Sequence, residues 1–153
     1  MKYIILEDIR SAYNVGAIFR TADASGVAKV FLTGYTPAPI DRFGRPQAEI
    51  QKTSLGASTT MVWEQTVTIR EVIERLQADG VTVVAVELAP GSVPLKEFTE
   101  PVQVAYIVGN EIDGVSKEAL ELADVIVELP MLGQKESLNV SVTAGIILYH
   151  GIT

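Results

Sequence analysis

Three short segments place polar side chains and glycines directly after apolar runs, where a strand could hand them to solvent. The first, NVGAIFR, offers Asn14, Gly16 and Arg20. The second, GNEIDG, offers Gly109, Glu111 and Gly114. The third runs from Leu129 to Tyr149, LPMLGQKESLNVSVTAGIILY, with Pro130 and Gly133 at a bend and Ser137 and Asn139 around Leu138. Ser and Asn at the mouth of a helix can be simple caps, because they satisfy free backbone N–H groups. A glycine alone is most simply a turn residue. Three such loops together point to a glycine-lined pocket for a cofactor. GNEIDG is not the G-x-G-x-x-G dinucleotide fingerprint, and no G-x-x-x-x-G-K-[ST] phosphate loop is present. Nor is there a G-x-S-x-G nucleophile elbow, and one histidine on the last helix is a poor triad member.

The elements that must position these loops follow from hydrophobic patterning. Strands are expected at about Lys2–Leu6, Lys29–Thr33, Thr60–Trp63, Val81–Leu88, Val102–Val108 and Val125–Leu129. Several are continuous Val/Ile/Leu runs, the mark of parallel strands buried on both faces. Helical patterns lie between them, at about Asn14–Ser25 (stopped by Gly26), Thr68–Ala78 (opened by a Thr68…Glu71 capping box), Ser116–Ala123 and Asn139–Ile152. This alternation predicts an α/β fold with a mainly parallel sheet flanked by helices. Ligands of such sheets sit at the carboxyl ends of the strands, where all three loops fall. The longest irregular stretch, Gly34 to about Gln47, carries Arg42 and Arg45, and a loop of that length tends to be functional.

With 153 residues, nearly half of them hydrophobic, the chain suits one ordered domain, 1–153. No apolar run approaches the roughly 20 residues that span a bilayer, and the N-terminus turns acidic too soon for a signal peptide. Without cysteine, and with His150 as its one histidine, the chain is expected to hold no metal and to work in the cytoplasm, away from membranes. The net charge of −7 argues against a nonspecific nucleic-acid binder. The charge is uneven, though. Residues 1–52 carry seven basic side chains against five acidic, and the remainder five against fourteen. Any polyanion, a nucleic acid among them, should therefore meet the N-terminal third, with Arg10, Arg42 and Arg45 as its candidate contacts (RNA-binding residues if that polyanion is RNA), although the last two can equally be solvated loop charges.

The three segments resemble the signature motifs of the SpoU (TrmH-like) branch of the SPOUT RNA methyltransferases. N-x-G-x-x-x-R-T-A matches Asn14 to Ala22, G-N-E-x-x-G matches Gly109 to Gly114, and P-M-x-G-x-x-x-S-L-N-V-S-V matches Pro130 to Val142. They come in family order and span nearly the whole chain; the third is long and specific. The resemblance implies a C-terminal trefoil knot, a homodimer and S-adenosylmethionine as cofactor. Knots are nearly absent from proteins, so patterning alone does not suggest one. Carried over by position, Leu88, Gly109, Asn110, Gly114, Leu129, Met131 and Leu138 contact the cofactor. Arg20 takes the place of the family's catalytic arginine, with Asn14, Glu111, Ser137 and Asn139 around it.

Methylating a ribose 2′-hydroxyl needs the oxygen, the methyl carbon and the sulfonium sulfur in line, so positioning carries much of the catalysis. Guanidinium is a poor general base because it stays protonated. Arg20 can instead clamp a phosphate and stabilise the developing alkoxide, while the family assigns it activation of the hydroxyl; both roles stay open. Glu111 either orients Arg20 or Asn139 or simply holds its loop together. Trp63 is read as a core residue and His150 as a helix-end residue. The implied activity is methyl transfer to a ribose of RNA. Transfer RNA is the first expectation, since a chain lacking an appended RNA-binding domain suits a compact target, and ribosomal RNA is the second. The rivals are a noncatalytic cofactor- or RNA-binding module and a small-molecule methyltransferase.

Overall fold

Runs such as IIL in residues 4–6 and VAYIV in residues 104–108 bury every side chain, because helices cover both faces of the sheet they form. The computed structural model describes residues 1–152; Thr153, the last residue of the expected domain, lies outside them. Seven strands occur among the described residues: β1 (Lys2–Glu7), β2 (Lys29–Thr33), β3 (Trp63–Thr66), β4 (Thr82–Val86), β5 (Val93–Pro94), β6 (Val104–Val108) and β7 (Val125–Glu128). Their order across the sheet is β3-β2-β1-β6-β4-β7-β5, and every neighbouring pair is parallel. All strand carboxyl ends therefore share one edge.

The helices are α1 (Ala12–Ala24), α2 (Ala48–Ser54), α3 (Ala57–Thr60), α4 (Ile69–Ala78), α5 (Lys117–Leu122) and α6 (Val140–Leu148). The period of two along β1 divides the core. Ile4 and Leu6 join Ile18 and Phe19 of α1 and Ile147 of α6 on one face. Ile5 joins Val72, Ile73 and Leu76 of α4 and Ala119 of α5 on the other. The Thr68 cap takes its hydrogen bond from the Glu71 N–H at 3.3 Å. Trp63 packs against the first cluster, as expected. His150 follows the end of α6, where a ring nitrogen lies 2.9 Å from the Phe98 carbonyl oxygen.

Several expectations need correction. The strand expected at Thr60–Trp63 begins at Trp63 instead, and Ala57–Thr60 is a helical turn. There the Thr59 hydroxyl bonds back to the Gly56 carbonyl at 2.8 Å, the local competition that draws threonine out of strands. The strand itself, WEQT, lies at the sheet edge, and its polar residues hid it. The first segment is helix and not loop: Asn14, Gly16 and Arg20 are inside α1, as the helical pattern at Asn14–Ser25 predicts, and the helix starts two residues earlier because Ser11 caps it and accepts from the Asn14 N–H at 3.1 Å. Helix α2, missed in the sequence, explains the motif glycine. A Cβ on Gly16 would sit 1.8 Å from Thr53 Oγ1 and 2.7 Å from the Ile50 carbonyl oxygen, so α1 and α2 can touch only at a residue without a side chain.

Candidate active site

A cleft of about 250 Å³ opens at the carboxyl ends of β4, β6 and β7. All seven residues expected to contact the cofactor line it. Leu88 follows β4; Gly109, Asn110 and Gly114 follow β6; Leu129, Met131 and Leu138 follow β7. Glu111 and Ser137 line it as well. Its walls combine apolar side chains with backbone, and the carboxylates of Glu87 and Glu136 stand at its margin.

The loop after β6 is shaped by acceptors from other strand ends. Asn110 is buried; its amide donates to the Asp8 carbonyl and the Tyr35 hydroxyl, each at 2.8 Å. Its Oδ1 accepts from the Ile112 and Asp113 N–H groups at 2.9 Å. Glu87 accepts from the Val115 N–H at 2.9 Å, and Glu7 from the Ser116 N–H and hydroxyl at 2.9 and 2.6 Å. Burial pushes the Glu7 carboxyl above its ordinary value even though both Ser116 bonds pull it down. Asp8, with φ of 51°, holds a left-handed conformation that carboxamides and aspartates tolerate best, and accepts from the Tyr35 N–H at 3.1 Å. Sequence reasoning passed over Glu7 and Glu87. The signal was available: each is a carboxylate at the carboxyl end of an apolar strand, Glu7 closing β1 and Glu87 following β4.

Within one subunit, Glu111 bonds to neither Arg20 nor Asn139. Its two oxygens accept from the Arg10 and Ser11 N–H groups, both at 2.9 Å, and from the Asn14 side-chain amide at 3.1 Å. It thus ties the start of α1 to the cleft and places Asn14 beside it. Partial burial pushes the Glu111 carboxyl up, but the N–H bonds from Arg10 and Ser11 outweigh this and hold it below its usual value near 4.5. A carboxyl with a depressed folded pKa supplies stability that is complete above its unfolded value and lost as pH falls through the folded one. Glu111→Gln is therefore expected to unfold at lower urea than the parent at neutral pH. That deficit should shrink as pH falls below the ordinary glutamate value near 4.5 and through the lowered folded one; a deficit independent of pH would show that the charge does not hold α1.

Asn139 is the N-cap of α6, its Oδ1 accepting from the Ser141 N–H at 2.9 Å and the Ser141 hydroxyl at 2.6 Å. Arg20 stands apart. It is exposed on α1 and lines a second, more open cleft with Tyr13, Thr21, Lys52 and Tyr149. Arg10 is exposed at the mouth of α1, and Arg42 and Arg45 lie on the loop between β2 and α2. Among the described residues, no cluster of His, Asp and Glu is placed to hold a metal ion, and no helix is long and apolar enough to cross a membrane.

The profile of the SpoU rRNA Methylase family matches residues 1–149. The chain is 33% identical over 145 residues to a 23S rRNA (guanosine-2′-O-)-methyltransferase of Neisseria meningitidis, a match covering 95% of this chain and 55% of that protein. It is 31% identical over 149 residues to the tRNA (guanosine(18)-2′-O)-methyltransferase of Escherichia coli, covering 95% and 60%. Among solved structures, the AdoMet-bound rRNA methyltransferase from Sinorhizobium meliloti superposes with a TM-score of 0.87 at 30% identity, over 97% of this chain and 54% of that one. The chain thus spans little more than half the length of these relatives.

Proposed function

The chain belongs to the SpoU rRNA Methylase family, and from that membership we propose that it transfers a methyl group from S-adenosylmethionine to a ribose 2′-hydroxyl of transfer or ribosomal RNA. The observation that carries this reading is the convergence of the GNEIDG segment, the Leu129–Leu138 segment and the end of β4 on one cleft at the strand carboxyl ends. The cleft suits the cofactor chemically. Leu88, Leu129, Met131 and Leu138 give apolar walls for a flat purine, and Glu87 and Glu136 offset a cationic centre. When bound, S-adenosylmethionine supplies an activated methyl group on its sulfonium. The chain's own residues then have to bring the ribose oxygen into line and accommodate its developing negative charge. Arg20, permanently charged, clamps the adjoining phosphate and stabilises that oxygen. Ser137, on the cleft wall, orients the nucleotide in this reading, and Asn14, buried behind the cleft, acts through the Glu111 carboxylate that it bonds.

Arg20 and the cofactor cleft are separate features of one subunit, and a homodimer brings them together in this reading. Support comes from the outer face of α6, where Val142, Ile146 and Tyr149 are 50%, 41% and 48% exposed at helical spacing, next to the cleft that holds Arg20. Isologous pairing through α6 and α1 would cover this stripe and present Arg20 to the partner subunit's cleft. Ile146→Glu is expected to give a monomer in light scattering that retains its fold but transfers no methyl groups. An active monomer would remove the dimer from the mechanism. The reading also includes a C-terminal trefoil knot, one methyltransferase domain over 1–153 and a cytoplasmic setting. The anchoring of α6 against the first strand by Lys2, whose Nζ donates to the Leu148 carbonyl at 2.8 Å, is consistent with a tucked C-terminus.

The deciding experiment maps 2′-O-methyl groups in tRNA and rRNA from cells with and without this protein, alongside transfer from labelled cofactor by the purified chain. Loss of one alkali-resistant site, restored by the purified protein, supports the reading. Cofactor and RNA binding without transfer would make the chain a noncatalytic module. Transfer that bulk RNA fails to compete would make it a small-molecule enzyme.

A further inference from the structure

The loop between β2 and α2 carries a feature that neither the core nor the cleft uses. Phe43 stands 67% exposed and belongs to neither buried cluster. Its loop is nevertheless a firm one. Asp41 Oδ1 accepts from the Phe43 N–H at 2.8 Å and the Arg45 N–H at 3.0 Å, and Oδ2 from Arg45 Nε at 3.0 Å. The backbone closes below it, with the Asp41 N–H bonded to the Arg45 carbonyl, the Gly44 N–H to the Asp41 carbonyl, and Ile40 bridged to Pro46. The Arg45 and Phe43 N–H bonds, with the Arg45 guanidinium, hold the Asp41 carboxyl below its usual range, so the turn stays intact at neutral pH. Two guanidiniums gather on the one ring: Arg42 Cζ is 4.9 Å and Arg45 Cζ 5.0 Å from its centroid.

This is an unusual way to leave an aromatic side chain. An exposed ring is unfavourable in water, and two adjacent cations repel each other with one carboxylate to offset them. Both costs are relieved by a partner that has a flat π-face and negative charge beside it. An unpaired nucleobase with its flanking phosphates is such a partner, whereas a duplex hides its base faces. The loop leaves the carboxyl end of β2, on the same sheet edge as the cofactor cleft.

We propose that Phe43 is a stacking platform for an unpaired nucleobase near the target nucleotide, with Arg42 and Arg45 holding the phosphates beside it. The proposal rests on the RNA methyl transfer proposed above and assigns its substrate a single-stranded segment. The test measures binding of a labelled single-stranded oligoadenylate and of an RNA duplex of equal length to the full chain. Phe43→Ala should weaken single-strand binding by roughly 5- to 100-fold, the range expected for one lost base–aromatic stack, and leave duplex binding within about 2-fold. Phe43→Trp should restore single-strand binding, with quenching of the introduced indole by the oligonucleotide. Arg42→Ala and Arg45→Ala should weaken both ligands and flatten the salt dependence. Unchanged single-strand affinity in Phe43→Ala, equal losses on both ligands, or an altered oligomeric mass would each overturn the platform. Thermal melts and cofactor affinity confirm that each variant is folded. If the parent chain transfers no methyl group to RNA yet Phe43→Ala loses single-strand binding, the platform stands and the enzymatic reading falls.

Discussion

Arg20→Ala is expected to lower single-turnover methyl transfer by about 100- to 1,000-fold at saturating RNA and cofactor, the usual cost of losing one charge-stabilising donor. S-adenosylmethionine affinity should stay near that of the parent, because Arg20 lies on α1 in a different cleft from the expected cofactor contacts. The exposure of Arg20 also means that the fold does not depend on it, so the melting temperature should barely move. A mixed-subunit experiment then asks whose cleft it serves. Neither Arg20→Ala nor Leu138→Arg, which fills the cleft, is expected to be active alone. If Arg20 reaches across the dimer, random mixing should recover about a quarter of parent activity, since half the dimers are mixed and each has one complete site. If it acts within its own subunit, the mixture stays inactive. Near-normal turnover by Arg20→Ala would refute the mechanism in either form.

Gly109→Val is expected to abolish measurable cofactor binding and to destabilise the chain by at least about 3 kcal/mol, a backbone clash beyond ordinary overpacking. A Cβ on Gly109 would lie 2.4 Å from the carbonyl carbon and oxygen of Gly114 and from the Val115 nitrogen. The first obstruction is therefore not the cleft but the closure of the loop itself, where the two ends of GNEIDG pass backbone to backbone. Gly109→Ala should show the same defect, since the clash is with the first side-chain carbon. Val62→Ala, at an exposed position ahead of the sheet edge, serves as the control and should change neither property. Calorimetry with equal cofactor affinity for Gly109→Val and Val62→Ala would place the cofactor elsewhere.

The sheet was readable because burial on both faces leaves a signal that does not depend on partners. Short, β-branched continuous runs at β1, β4 and β6 pointed to internal parallel strands, and their lengths were right to within about two residues of the ends, the usual boundary error. The edges were less readable. β3 is polar and β5 is two residues long, so neither carries a hydrophobic pattern, and the serine–threonine turn of α3 looked like the start of a strand. α2 was missed for a related reason: seven residues of mostly polar chain with one buried isoleucine have no helical period to detect.

For the site, the chain by itself determined the inventory. The spacing of glycines and amides marked the three segments, and the family resemblance, not the spacing, supplied the seven residues that line the cleft at β4, β6 and β7. What tertiary structure decided was which of those side chains meet. Glu111 could have faced Arg20 or Asn139 by sequence; it faces Arg10, Ser11 and Asn14, because β1 and β6 are neighbours and deliver the start of α1 to the loop after β6. Gly16 reads as a motif residue, and its demand is the close crossing of α1 and α2. Arg20 reads as part of one constellation, yet α1 carries it to a different cleft. Periodicity records whether a side chain is buried, a property of one residue and its surroundings. Contacts between residues a hundred positions apart depend on strand order, which local patterning does not encode.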